Sequence, residues 1–574
     1  MAVNKELAKA LRLIAYYLAL KNIPFKPQAY EKAAYVIESL EEDIGELINK
    51  QGKYFLEQLP GVGKSIAEKI IEYLQSGKIQ ELENLKKELP VDIESLLRVE
   101  GIGPKMIYRL YKELNIKNID DLKKACQKHR LRNIYGFGAK KEEKILKSLA
   151  FLDKTGNRLI ISEAYFLVKD LTDYLQKSNL AEKIVVAGSY RRFKETIGDI
   201  DILVVTKNIK QFTDYFLNYK DIQDVYAKGD KKIMVRLENN VDVDIRVFDK
   251  ESFGAALCYF TGSKDHNIAL RKLALKKGWK LNEYGLFDRN NRKIAGATEE
   301  EIYAKLGLQF IPPELRENKG EIELALENKL PHLVDYDDLK GDLQVQSDWS
   351  DGQDSIETIA KAAIKFGLEY VCITDHTKSL KVANGLDEER ILKQMAEIDR
   401  INKKYRGKIV ILKGVELNIL KNGSVDITDD VLSKLDFVGA SVHSYFNLDK
   451  KTQTERIKKA MANKNIDCIF HPTGRLINKR PPYEVDIVDL IDYAKKTNTL
   501  LEINAYPDRL DLNDEYIRLC VDKGVKMLID SDAHSTSHFS FLKFGIAQAR
   551  RGWASAADIL NTLKLKDFLL SLKQ

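Results

Sequence analysis

Apolar positions near the start of the chain recur at helical spacing. Leu7, Leu11, Ile14 and Leu18 share one face, with Lys9, Arg12 and Lys21 between them, which predicts an amphipathic helix packed on a core. The same periodicity, broken by short glycine-containing turns, continues to about residue 152. From about 155 to 315 the pattern changes: apolar or alternating runs at 184–187, 200–205 and 241–247 predict strands between helical stretches. The polar, proline-punctuated stretch from Ile311-Pro312-Pro313 to Lys340 predicts a linker. Beyond it, short apolar runs at 370–374, 409–413, 437–439, 468–470, 500–504 and 527–529 alternate with helices and end in polar residues, the rhythm of a βα barrel of parallel strands.

At 574 residues the chain exceeds one hydrophobic core, so about two to four domains are expected. Its 93 basic and 86 acidic residues nearly cancel, so any affinity for nucleic acid must come from placed residues rather than bulk charge. The five cysteines are far apart and form no Cys-x-x-Cys pair, which argues against a disulfide framework or zinc ribbon and for a reducing, cytoplasmic setting. No run of about 18 uncharged apolar residues is present, which removes a membrane-spanning reading, and the charged first helix is not a signal peptide.

Gly-apolar-Gly recurs at Gly61-Val62-Gly63, Gly101-Ile102-Gly103 and Gly136-Phe137-Gly138, each after an apolar lead-in and before an amphipathic helix. Paired glycines let the backbone turn tightly and approach a phosphate, and the helix that follows presents free N–H groups. One copy reads equally well as an ordinary helix-helix turn. Three copies favour the sugar-phosphate backbone of a nucleic acid, and they resemble helix-hairpin-helix DNA-binding elements.

Gly188-Ser189-Tyr190-Arg191-Arg192 follows an apolar strand, and Gly198-Asp199-Ile200-Asp201 comes soon after. Residues two apart on a strand point to the same face, so Asp199 and Asp201 project together. Asp244, in the second alternating strand Val241-Asp242-Val243-Asp244-Ile245-Arg246-Val247, completes an acidic face, with Asp242 the competing choice. Hard carboxylates in this arrangement suit two-metal phosphoryl transfer. The order resembles the nucleotidyltransferase palm. With Tyr259-Phe260-Thr261-Gly262-Ser263, Asn267, Arg271 and Asn282-Glu283-Tyr284, the resemblance sharpens to family X DNA polymerases over nearly all of residues 1–315.

That resemblance implies magnesium or manganese on Asp199, Asp201 and Asp244, with Arg246 paired to one of these carboxylates. It implies the triphosphate on Gly188, Ser189, Arg192 and Gly198, the sugar against Tyr259, Phe260 and Gly262, and minor-groove contacts from Asn267 and Arg271. It also implies a deoxyribose-phosphate lyase pocket at Lys26, Tyr30 and Lys69, although Ser65 stands where such lyases have another lysine. A lysine on a DNA-facing helix reads equally as a phosphate contact.

Four histidines follow apolar strands, in Thr374-Asp375-His376, Ser441-Val442-His443, His471-Pro472 and Asp532-Ala533-His534, and Gly414-Val415-Glu416 adds a carboxylate. Side chains at the carboxyl ends of barrel strands converge on one mouth, so this set could ligate several metals. The order resembles the polymerase and histidinol phosphatase (PHP) domain fused to bacterial family X polymerases. By that likeness Glu416, His443 and His471 hold one zinc or manganese, and Asp351, His376 and His534 another. A His-x-His pair that opens the family's domain is replaced here by Gln344-Val345-Gln346. Amide oxygen is a weaker ligand than imidazole, so the metal shared with Glu416 and Asp532 loses two donors, and the expected 3′ to 5′ exonuclease is weak or absent.

The expectation is a multidomain α+β and α/β chain. It places helical DNA-binding regions at 1–80 and 81–152, a palm at 153–250, a thumb at 251–315, a linker at 316–338 and a distorted βα barrel at 339–574. The function expected is repair synthesis on gapped or primer-template DNA from deoxynucleoside triphosphates, by a nucleoid-associated monomer. The competing readings are a template-independent nucleotidyltransferase, a DNA-binding scaffold and a PHP-type phosphatase or nuclease.

Overall fold

The computed structural model describes residues 2–21, 23, 26–38, 40, 42–59, 61–97, 99, 102–134, 137–155 and 158–573. It divides into two compact units, Met1–Gly156 with Asn478–Arg480, and Asn157–Ile477 with Pro481–Gln574. Among the described residues no helix is long and apolar enough to cross a membrane. All five cysteines are buried free thiols.

The first unit is helical, and its first helix, Ala2–Leu20, buries Leu7, Leu11, Ile14 and Leu18 as the periodicity predicts. Helices Lys64–Ser76 and Pro104–Leu114 start from Gly63 and Gly103, neither of which supplies a side-chain cap. Their first backbone N–H groups therefore depend on an outside acceptor. A third such helix, Ala139–Thr155, follows Gly138. Gly101 and Gly136, expected at two of these turns, lie outside the described residues.

In the second unit a five-stranded sheet runs in the order Lys183–Val186, Asp199–Val205, Asp242–Val247, Lys232–Leu237, Ile222–Lys228. Only the pair Asp199–Val205 and Asp242–Val247 is parallel, which sets Asp201 directly beside Asp244 and Asp199 beside Asp242. Helices Phe253–Thr261, Lys264–Lys276 and Glu299–Leu306 and a small antiparallel sheet follow.

Residues 316–338, expected to be a linker, are folded into the molecule. Arg316 is wholly buried, bonded to Glu299 at 2.5 Å and to the Ile311 carbonyl at 2.8 Å, and its guanidinium lies over the Tyr303 ring. Helix Glu321–Leu326 buries Ile322 and Ala325. Prolines and charges suggested exposure, but burial of these groups is satisfied pair by pair.

The C-terminal region is a nearly closed barrel of seven parallel strands in chain order, from Gly341–Val345 to Met527–Asp530. The last gap is bridged where Gln346 N–H donates to the Ala533 carbonyl at 2.8 Å and Ala533 N–H to the Gln344 carbonyl at 3.2 Å. Leu343, Tyr370, Leu412, Phe437, Phe470 and Leu528 fill the interior together with Phe568 of the last helix. Polar residues are thereby directed to the opposite, carboxyl-end mouth.

The barrel also packs on the polymerase-like part of this unit. Ile160, Ile161, Ala164 and Ile197 form one buried cluster with Ile477, Leu510 and Phe544, and Trp553 joins the core around Ile302 and Tyr303. At the edge of this contact Arg475 binds Glu195 at 2.7 Å and Arg550 binds Glu314 at 2.7 Å.

Candidate active sites

Along Asp199–Val205 the side chains alternate between exposed Asp199, buried Ile200 and half-buried Asp201, as strand geometry requires. Burial first, then the neighbouring charges of Asp199 and Asp244, push the Asp201 carboxyl up to about 7, against the pull of Arg246 and Arg192. Such mutual repulsion among hard oxygen donors suits a divalent cation, which would relieve it. Asp244 is held by Arg246 through two bonds of 3.0 Å, and Lys232 lies 3.7 Å away. Asp242, the competing choice, is instead fully engaged by Arg236 at 2.8 and 2.9 Å.

Gly188 sits at φ +63°, and a Cβ there would come within 2.4 Å of Asp201 Oδ2. The helix Gly188–Arg191 that it opens carries Ser189. Arg192 donates to the Thr261 carbonyl and, at 3.1 Å, to Glu317. Arg158 was not singled out from sequence. Its Nη2 bonds the Thr196 carbonyl at 2.7 Å, and its Nη1 lies 2.7 Å from where a Gly198 Cβ would stand. An arginine outside any glycine motif carries no local signal of this placement.

Tyr259, Asn267, Arg271 and Asn282 line one small pocket. Asn267 Nδ2 donates to the Tyr259 carbonyl at 2.6 Å, and Arg271 Nε to the Asn267 carbonyl at 3.3 Å. Phe260 packs against Tyr259 and lies under Arg246. Gly262, at φ +65°, ends the helix beside Arg192.

In the first unit, Lys69 binds Glu81 at 3.0 Å and Ser65 Oγ at 3.1 Å, and Tyr30 donates to the same Glu81 at 3.0 Å. Lys26 is exposed at the start of Lys26–Glu38. Gly63, Gly103 and Gly138 have open space where a side chain would be, whereas Gly61, at φ +81°, faces the Lys32 stem.

At the barrel mouth two groups have ligand atoms within 4.8 Å of one another among the described residues: Asp351 with His376 and His534, and Glu416 with His376 and His443. His471 Nε2 also meets Glu416, at 3.0 Å. His443 donates from Nδ1 to Asn418 Oδ1 at 2.9 Å, and His534 from Nδ1 to the Asp532 carbonyl at 2.9 Å. In both rings Nε2 is thereby turned to the mouth. Burial alone would raise the Glu416 carboxyl, but His376, His443 and His471 hold it well below its ordinary range. This imidazole and carboxylate set fits zinc or manganese.

The remaining position does not fit. Gln346 Nε2 donates to Glu416 at 3.1 Å, and Gln344 Oε1 accepts from Asn504 at 3.2 Å. Asp532 is met by the Asn504 amide at 3.1 Å and the Arg509 guanidinium at 3.4 Å. Amides and a fixed cation occupy the surroundings that a further metal would need. Asn504 and Arg509, like the buried Glu502 and Asp530 behind them, were not anticipated; single polar residues within apolar strands read as strand ends.

Residues 2–79 match the family described as a helix-hairpin-helix domain, and 93–150 a SAM-like helix-hairpin-helix tandem. Residues 161–243 match the DNA polymerase beta palm, 256–317 the DNA polymerase beta thumb and 342–525 the PHP domain. A Bacillus subtilis protein named DNA polymerase/3′-5′ exonuclease PolX is 40% identical over 100% of this chain and 99% of its own length. DNA polymerase lambda of Arabidopsis thaliana is 26% identical over 55% of this chain and 59% of its own. A Thermoanaerobacter protein named a probable phosphatase is 30% identical over 38% of this chain and 87% of its own.

Proposed function

The chain belongs to the family X DNA polymerases that carry a PHP domain, and from that membership we propose that it fills short gaps in DNA, with Asp199, Asp201 and Asp244 as its catalytic carboxylates. The observation that carries the site is the register of two parallel strands, which sets Asp201 beside Asp244, where burial and the neighbouring acids make Asp201 reluctant to ionise alone. Magnesium or manganese bound there would activate the primer 3′ oxygen and hold the triphosphate.

The protein's own part is placement. Arg246 fixes the Asp244 carboxylate in one plane. Gly188 lets the backbone pass close to Asp201, while Ser189, Arg192, Gly198 and Arg158 supply donors for the triphosphate. Tyr259, Phe260 and Gly262 form the sugar wall, and Asn267 and Arg271 reach the minor groove. That last pair favours a templated reaction over template-independent transfer. Gly61, Gly63, Gly103 and Gly138, with Gly101 and Gly136, meet the DNA backbone. Primer extension on a one-nucleotide gap tests this reading: activity lost with Asp201→Ala supports it, and extension near the wild-type rate in that variant would overturn it.

For the barrel, the mixed donor set supports binding of zinc or manganese by Glu416, His443 and His471 and by Asp351, His376 and His534. Gln344, Gln346 and Arg509 leave its exonuclease weak or absent. The combined change Gln344→His with Gln346→His is expected to raise manganese-dependent 3′ digestion by at least about tenfold. Wild-type digestion that already equals the double variant, and that disappears with His376→Ala, would refute this. Lyase chemistry at Lys69 is disfavoured, because its Nζ is engaged by Glu81 at 3.0 Å and by Ser65 Oγ at 3.1 Å, where a Schiff-base nucleophile has to be presented to the sugar.

A further inference from the structure

We infer that Arg551, at the end of a barrel-domain helix, positions the palm's triphosphate-binding turn, so that the barrel sets nucleotide affinity from outside the active site. The inference rests on the reading of Arg192 as a triphosphate ligand. Helix Leu542–Arg551 ends against the palm, and the Arg551 side chain is almost wholly buried there. Its Nη1 donates to the Arg192 carbonyl at 2.9 Å and to Glu317 at 3.2 Å, and its Nη2 to Asp514 at 2.5 Å. The residue after Arg192 is Phe193, an aromatic at φ +50°. A left-handed bulky residue is costly unless its surroundings fix it, and the guanidinium on the preceding carbonyl is such a restraint.

Charge points the same way. Glu317 Oε1 is shared by Arg192 at 3.1 Å, Arg551 at 3.2 Å and Lys194 at 3.9 Å. Among the described residues Arg192, Lys194 and Arg551 form ion pairs with two carboxylates, Glu317 and Asp514, so the pairing leaves one cation in excess beside the triphosphate position. Lys319, near Asp514, is paired with Glu515. Without Arg551 the count becomes two against two. Glu317 then bonds Arg192 more closely and competes with the phosphate oxygens for its guanidinium.

The test is single-turnover incorporation of one deoxynucleotide into gapped DNA by the full chain, with Kd for the nucleotide separated from the maximal rate. Arg551→Met, which keeps the apolar stem, is expected to raise Kd about tenfold, within the usual range of coupling between sites, with the rate changed less than about threefold. Glu317→Gln in that background should restore Kd, since it removes the competing carboxylate. Asp514→Asn should not weaken the nucleotide, because it leaves Arg551 to Glu317 alone. A general loosening of the interface would weaken binding in all three. If Arg551→Met does not fold, Arg551→Lys, which keeps the charge but loses the fork, should raise Kd about threefold. An unchanged Kd in a folded Arg551 variant, a fall in rate alone, or no rescue by Glu317→Gln would overturn the inference. Arg192→Gln separates the two levels. If it leaves Kd unchanged, the reading of the triphosphate site fails; if it raises Kd while Arg551→Met does not, only the role of Arg551 fails.

Discussion

Gly188 shows how one residue can serve chain direction and chemistry together. Its φ of +63° strains any side chain, and a Cβ would stand 2.4 Å from Asp201 Oδ2, so that the carboxylate would have to shift. Gly188→Ala is therefore expected to cut nucleotide addition at least about tenfold through displacement of the carboxylate, with gapped-DNA affinity held within about twofold. Primer extension and a binding titration on one preparation check both parts, and an active Gly188→Ala enzyme would show that the turn can yield. The shared face of Asp199, Asp201 and Asp244 was legible because strand side chains alternate and acids on one face stand out against apolar neighbours. Arg509 was not. It reaches Asp532 only through the folding of the chain beyond the strand Leu500–Asn504, and nothing adjacent in sequence marks it.

At the scale of the element, Gly63 and Gly103 differ from Gly188. Both have extended backbone, φ −85° and −106°, that a β-branched residue adopts readily, and neither has an atom near its Cβ position. Gly63→Val with Gly103→Val should lower the helical unit's melting temperature by only several degrees, since valine is a poorer N-cap than glycine, and weaken gapped-DNA binding by about tenfold or more, because the methyl groups keep the helix N–H groups from phosphate. Equal affinity in the folded variant would make these turns merely structural. Arg316 is the reverse case, a charge whose removal costs folding. Arg316→Ala leaves Glu299 buried with less compensation and should destabilise the second unit by about 3 kcal/mol, read by denaturant titration. Its neighbourhood looked like a linker because prolines and alternating charges usually mark exposed chain. The signal for burial lay in Ile322, Ala325 and Val334, whose contacts come from distant segments.

Across the whole molecule, the contact between barrel and palm answers to acid. Burial by itself would raise the Glu317 and Asp514 carboxyls, but Arg551 and Lys194 hold both below their ordinary values, with Arg192 also acting on Glu317 and Lys319 on Asp514. A depressed folded value stabilises the fold above the unfolded carboxylate range of about 4 and loses that contribution as pH falls through the folded value. The second unit should thus melt progressively earlier below about pH 4, and Glu317→Gln should flatten that decline in scanning calorimetry; an unaltered slope would remove Glu317 from the acid response. The barrel itself was readable in the rhythm of strands, each ending in a polar residue. Its contact with the palm was not, because an arginine in the last turn of a helix ordinarily does no more than complement the helix dipole. The shared cores have a practical consequence for genetics. A truncated allele ending before the barrel would uncover Ile160, Ile161 and Ile197 and leave a hole where Trp553 sits. It would tend to aggregate, and its phenotype would report solubility rather than the barrel's own chemistry. Point alleles such as His443→Ala, which keep the apolar seam covered, are the ones from which the barrel's chemistry can be judged.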